Sequence, residues 1–217
     1  MKLNEKSIMK AHTKETQATM TPEKSLQYLK EGNQRFQNNL KANRNLLEQV
    51  NDTSEGQFPF ATILSCIDSR VSAELVFDQG LGDIFSVRIA GNIVNEDILG
   101  SMEFACKLAG TELIVVLGHT SCGAVKGACD HAEMGNLTKL VQKITPAVNA
   151  VTEPKDESLR TSKNLDFVDN VSHMNVQLMI DRIHAESPIL TEMEKNGEIK
   201  IIGAMYDVNT GEVKFDE

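Results

Sequence analysis

Three short apolar runs limit what this 217-residue chain can become: Phe60–Ser65 (FATILS), Ile84–Ile89 (IFSVRI) and Glu112–Leu117 (ELIVVL). Each reads as a strand with both faces buried. Between the second and third lies Glu96–Ala109, where Ile98, Leu99, Met102, Ala105 and Leu108 recur at helical spacing and Gly110 supplies a C-cap. Strands alternating with helices specify a parallel sheet covered by helices. Thr21-Pro22-Glu23 opens an earlier helix, with a hydroxyl N-cap, proline in the first turn and an acid beside it. Leu26, Leu29, Phe36 and Leu40 form its apolar stripe, so a helix over 22–40 is predicted. A long helix is predicted over 166–186. The end reads as a hairpin over 199–215, turning at Asn209-Thr210-Gly211. The fold class is α/β: a mostly parallel central sheet flanked by helices, with an N-terminal helical arm and a C-terminal hairpin. Residues 1–20 are polar and aperiodic, expected to be loose or to dock on a partner; 21–217 form one domain.

Composition narrows the function classes. Hydrophobic residues at 41% and charged residues at 24% exclude disorder of the whole chain. A net charge of −9 without a basic patch excludes nucleic acid as a partner. The longest apolar run, Leu113–Leu117, is far below the ~20 residues needed to span a bilayer, so no membrane partner is expected. The first twenty residues lack an apolar signal core, so the expected location is cytoplasmic, or periplasmic had a signal peptide been removed. Four cysteines in a chain this long do not form a disulfide scaffold.

Ligands in such sheets gather at the carboxyl ends of strands. The first run leads into Cys66-Ile67-Asp68-Ser69-Arg70 and the third into Gly118-His119-Thr120-Ser121-Cys122-Gly123. Neighbouring parallel strands bring both ends to one rim, where Cys66, His119 and Cys122 make a Cys₂His set suited to zinc, leaving one tetrahedral position open. Alone, each residue has an ordinary structural reading: a buried thiol, a core histidine, a surface ion pair. Together at two strand ends they reverse it. Gly118, Gly123 and Gly127 precede no Gly-Lys-Ser/Thr, so they form no P-loop. Cys106 reads as core, and Cys129 and His131 fall on different faces of a helix.

Cys66-x-Asp68-Ser69-Arg70 followed by His119-x-x-Cys122-Gly123 resembles the β-class carbonic anhydrases. Glu31-Gly32-Asn33-x-Arg35-Phe36 and Arg88-x-Ala90-Gly91-Asn92 extend the resemblance over roughly 22–206. It implies a zinc enzyme, one Zn²⁺ per chain, in which metal-bound hydroxide attacks CO₂ to give bicarbonate and a proton. It also implies a homo-oligomer, a dimer or dimer of dimers, with the active site at the dimer interface. Asp68 would accept the proton of the hydroxide and Arg70 would hold Asp68 ionised. The pocket implied contains Gln57, Phe85, Ala90, Phe104 and Gly123, with some walls from the partner subunit. Ile63 stands where one branch of the family has a tryptophan at a regulatory bicarbonate site, and the chain has no tryptophan. The expectation is therefore an Asp68–Arg70 pair, water or hydroxide as fourth zinc ligand, and no allosteric inhibition by bicarbonate. Two alternatives are a hydrolase for carbonyl sulfide or carbon disulfide on the same scaffold, and a non-catalytic zinc-stabilised binding protein, against which the Asp-x-Arg dyad argues.

Overall fold

Ala61–Ser65 (β1), Ile84–Arg88 (β2), Leu113–His119 (β3) and Lys200–Tyr206 (β4) run parallel, and Val213–Phe215 (β5) returns antiparallel to β4. They form one sheet in the order β2-β1-β3-β4-β5 in the computed structural model, which describes residues 8–216. Side chains alternate across a strand, so β1 and β3 feed two cores. Leu64, Ile114 and Val116 face one layer; Ala61, Ile63, Leu113, Val115 and Leu117 face the other. The second layer holds Pro22–Gln37 (α2) and Ala73–Val76 (α4), preceded by the short Lys14–Gln17 (α1) and Leu46–Asp52 (α3). The first layer is thicker: Glu96–Glu103 (α5), Gly123–Cys129 (α6), Gly135–Val141 (α7), Thr145–Ala150 (α8), Leu165–Glu186 (α9) and Pro188–Lys195 (α10). Among the described residues no helix is long and apolar enough to cross a membrane.

The structure departs from the sequence reading in three places. α2 stops at Gln37, because Asn38 caps it and Asn39 takes a positive φ of 53°. Leu40 therefore leaves the apolar stripe and is 58% exposed. α3 occupies a stretch without helical patterning: it buries Gln49 while Leu46, Leu47 and Val50 face outward. Residues 8–20, expected as a loose or partner-bound arm, lie against their own chain, and residues 1–7 fall outside the described part. Ala11 and Met20 are buried, and Gln17 Nε2 donates to the carbonyls of Pro59 (2.7 Å) and Ala109 (2.9 Å). Polar anchoring of this kind leaves no periodicity to read.

The Glu31-Gly32-Asn33-x-Arg35 stretch is a structural clamp. Asn33 Nδ2 donates to the carbonyls of Val76 (3.1 Å) and Gly211 (2.9 Å), while its Oδ1 accepts the Val213 N–H (2.9 Å). One buried side chain thus ties α2 to α4 and to the terminal hairpin. Arg35 Nε reaches buried Asp78 at 2.5 Å. Gly32 is required by closeness: a Cβ there would collide with the Phe77 carbonyl. In an exposed helix interior, glycine to alanine gains up to about 1 kcal/mol. Here Gly32→Ala is expected to destabilise by ~1–3 kcal/mol through overpacking, read from the midpoint of urea unfolding; a stabilised variant would contradict the clamp.

Candidate metal centre

The pairing of β1 with β3 builds the centre. Ser65 lies opposite Leu117, so one residue further brings Cys66 beside Gly118, with His119 next on β3. A Cβ on Gly118 would meet Val176 Cγ2 at 2.6 Å and Met205 Sδ at 2.7 Å, so only glycine lets the layers close there. Ser121 then takes a left-handed φ of 56°, and Cys122 precedes the first residue of α6. The ligand atoms of Cys66, His119 and Cys122 all lie within 4.8 Å of one another, and all three residues are buried. The two sulfurs are 4.0 Å apart.

Hydrogen bonding orients the donors. His119 Nδ1 donates to the Thr120 carbonyl at 2.9 Å, which leaves the lone pair on Nε2. That Nε2 is buried and has no hydrogen-bond partner among the described residues. Leaving such a group unsatisfied costs about 1–3 kcal/mol, and a soft divalent cation shared with two sulfurs would satisfy it. The donor set fits zinc. Cys66 Sγ also accepts the Gly91 N–H at 3.3 Å. The bond from Cys122 chiefly holds the Cys66 thiol far below its ordinary range, with help from the Gly91 N–H against the effect of burial. Cys122 is pushed up, first by its bond to Cys66 and then by deeper burial. The contact thus favours one thiolate beside one thiol.

Asp68 and Arg70 stand at the rim. Arg70 Nε and its backbone N–H donate to Asp68 Oδ1 (2.9 and 3.0 Å), and a terminal nitrogen donates to Oδ2 (2.8 Å). This fork holds the Asp68 carboxyl well below the usual carboxylate range. Arg88 braces the same loop, donating to the carbonyls of Cys66 (3.0 Å) and Asp68 (2.7 Å). Ala90 sits beside Gly91 in the turn that reaches Cys66, and Gly123 is the exposed first residue of α6.

The remaining pocket residues are not gathered by a single chain. Phe85 pairs with Thr62, three residues or about 10 Å back along the strands from the Ser65–Arg88 pair. It packs edge-on against Phe104, ring centres 6.3 Å apart, in an open groove of about 700 Å³ that the three ligands do not line. Gln57 precedes β1, at the opposite end of the sheet from Cys66, and is exposed. The sequence reading left the partner of His119 open and did not find the Gly91 N–H, because backbone groups carry no residue signature. It also missed Asp169 and Asn175 of α9, which reach Ser121 between two of the candidate ligands and the Gly91 turn behind Cys66 from some fifty or more residues downstream.

The carbonic anhydrase family profile matches residues 61–213. Carbonic anhydrase 2 of Mycobacterium tuberculosis is 35% identical over 189 residues, spanning 84% of this chain and 87% of that protein. The carbonic anhydrase of Mycolicibacterium smegmatis is 34% identical over 193 residues, 86% of this chain and 89% of that one. A solved tetrameric β-carbonic anhydrase of Sordaria macrospora superposes with a TM-score of 0.65 over 77% of this chain and 89% of that one, at 20% identity, a likeness of fold.

Because contact between the sulfurs pushes the Cys66 thiol down and the Cys122 thiol up, the metal-free protein at pH 6, below the range in which a zinc-bound water would ionise, is expected to release about one proton per zinc bound. Calorimetric titration in buffers of different ionisation enthalpy measures the number. A value near two would show that both sulfurs carry protons in the metal-free protein.

Proposed function

The chain belongs to the β-class carbonic anhydrases, and on that footing we propose that Cys66, His119 and Cys122 hold one zinc ion per chain at which CO₂ is reversibly hydrated to bicarbonate and a proton. The observation that carries this reading is the unpartnered, buried Nε2 of His119 facing two sulfurs. Zinc in that position would make a bound water acidic enough to supply hydroxide near neutral pH, an effect for which carbonic anhydrases are the usual illustration.

The chain's own residues do the rest. A carboxylate offers about four lone-pair positions; Arg70 fills three on Asp68. The one left would accept a hydrogen bond from the attacking oxygen and so aim that oxygen's lone pair at carbon. Arg70 keeps Asp68 ionised and fixed in place, while Arg88 fixes the backbone that carries both Cys66 and Asp68. Ala90 and Gly123 border the approach to the ligands. Ile63 is fully buried in the sheet, which supports a chain without the tryptophan-built regulatory pocket and without allosteric inhibition by bicarbonate.

Gln57, Phe85 and Phe104 act across a subunit interface in this reading. β2 is an edge strand, and Phe104 is 53% exposed and Leu108 76% beside it. An edge of this kind invites pairing with a second copy. A homodimer, alone or doubled as in the tetrameric Sordaria relative, brings a second chain's Gln57 toward the metal centre, as a donor to a CO₂ or bicarbonate oxygen.

Stopped-flow CO₂ hydration with metal analysis on the same sample tests the reading. Cys66→Ala is expected to lose both zinc and activity, and Asp68→Asn to keep zinc while kcat/KM falls roughly 10²-fold or more. Zinc-replete wild type inactive from pH 7 to 9 would sink the proposal. A complementation assay tests the shared site: reassembling Gln57→Ala subunits with Cys66→Ala subunits is expected to raise activity above that of either parent. No gain would place Gln57 outside its partner's site.

A further inference from the structure

Between the two ligands of the His119-x-x-Cys122 segment stands Ser121, held in a backbone conformation that is costly for serine. Its φ of 56° lies in the left-handed region, which side chains other than glycine, asparagine and aspartate seldom adopt. The chain needs this turn because His119 ends a strand and Cys122 stands at the N-cap of a helix, yet both must aim at one point. Three contacts hold the segment. The Thr120 N–H donates to the Tyr206 carbonyl at 3.0 Å, and Thr120 Oγ1 accepts the Val208 N–H at 3.1 Å. The third reaches Ser121 itself: its N–H donates to Asp169 Oδ1 of α9 at 2.7 Å.

Aspartate is a poor residue for a helix interior, and Asp169 is half-buried where α9 passes the centre. The same helix touches the centre twice more. Val176 packs where a Cβ on Gly118 would lie, and Asn175 Nδ2 donates to the Gly91 carbonyl at 2.9 Å, behind the N–H that meets Cys66 Sγ. We propose that Asp169 is a positioning residue of the metal centre. By accepting the Ser121 N–H it locks the left-handed turn that lets His119 and Cys122 bind one ion together. Asp169 touches neither metal nor substrate, and this inference rests on the reading of Cys66, His119 and Cys122 as a zinc site.

The test is the rate at which zinc passes from the loaded enzyme to a coloured chelator, with the thermal midpoint and the visible spectrum of the cobalt-substituted protein as companion readouts. Asp169→Ala is expected to speed zinc release roughly 10–100-fold, the usual scale for losing an outer contact of a ligand, and to alter the cobalt spectrum. Asp169→Asn keeps an acceptor oxygen and is expected to stay near wild type, as is Asp181→Ala, which removes an exposed carboxylate from the same helix. Ser121→Gly adopts the turn without strain, so adding it to Asp169→Ala is expected to restore slow release. Unchanged release from Asp169→Ala would overturn the proposal. So would equal acceleration by Asp181→Ala, no recovery in the double variant, or a fall in thermal midpoint large enough to account for the loss. Wild type that binds no zinc would instead overturn the metal site itself.

Discussion

The parallel pairing of β1 with β3 is the constraint on which the rest depends. Its register sets Ser65 against Leu117 and so delivers Cys66 and His119 to the same rim from segments some fifty residues apart. A slip of one residue would turn each side chain of β1 to the other face, putting Cys66 among the packing of α2 and α4. The two cores prevent this. Leu64 with Ile114 and Val116, and Ile63 with Leu113 and Val115, must each keep to their own layer. Hydrophobic sorting, with no chemistry of its own, thereby fixes the relative height of two residues of the candidate metal centre.

Backbone groups finish what the register begins. A buried imidazole can present either nitrogen, and the Thr120 carbonyl settles which. A buried sulfur is stabilised as thiolate only where donors reach it, and the Gly91 N–H is one. Arg88, spanning from β2 to the carbonyls of Cys66 and Asp68, transmits the β1–β2 pairing into the loop that carries the dyad. Strand register, loop backbone and side-chain orientation are successive refinements of one placement.

This explains what could be read in the sequence and what could not. β1 and β3 were legible because burial on both faces demands unbroken apolar runs, whereas β2, read the same way, is an edge strand that exposes Ser86 and Arg88; the candidate ligands were legible because few other roles collect two cysteines and a histidine at strand ends. Gly32, Asn33 and Arg35 were visible as a motif, but their work as a clamp on Phe77, Val76, Gly211 and Asp78 depends on tertiary closeness. α3 was invisible because its buried residue is Gln49 and its leucines point outward. Asp169 looked like one more polar residue on a long amphipathic helix. Its bond goes to a backbone N–H, a partner every residue but proline has. Gln57 and the Phe85–Phe104 pair were tied to the centre only by resemblance, and one chain does not bring them to it.

Charge arrangement adds a final argument about how an acidic protein can handle a bicarbonate anion. The chain carries −9 overall, a field that opposes anion approach at long range. Exposed charges beyond ~8–10 Å are largely screened at physiological ionic strength, so the groups at the rim decide. Arg70 is neutralised by Asp68, with both oxygens engaged. Arg88 turns two of its five N–H donors to carbonyls beside the same loop. Two thiolates would cancel a divalent cation, so the ion and its ligands contribute no net charge of their own. On the proposed reading, Arg88 is then a rim charge without a carboxylate partner among the described residues, and at short range it would offset the negative field of the chain for an approaching anion.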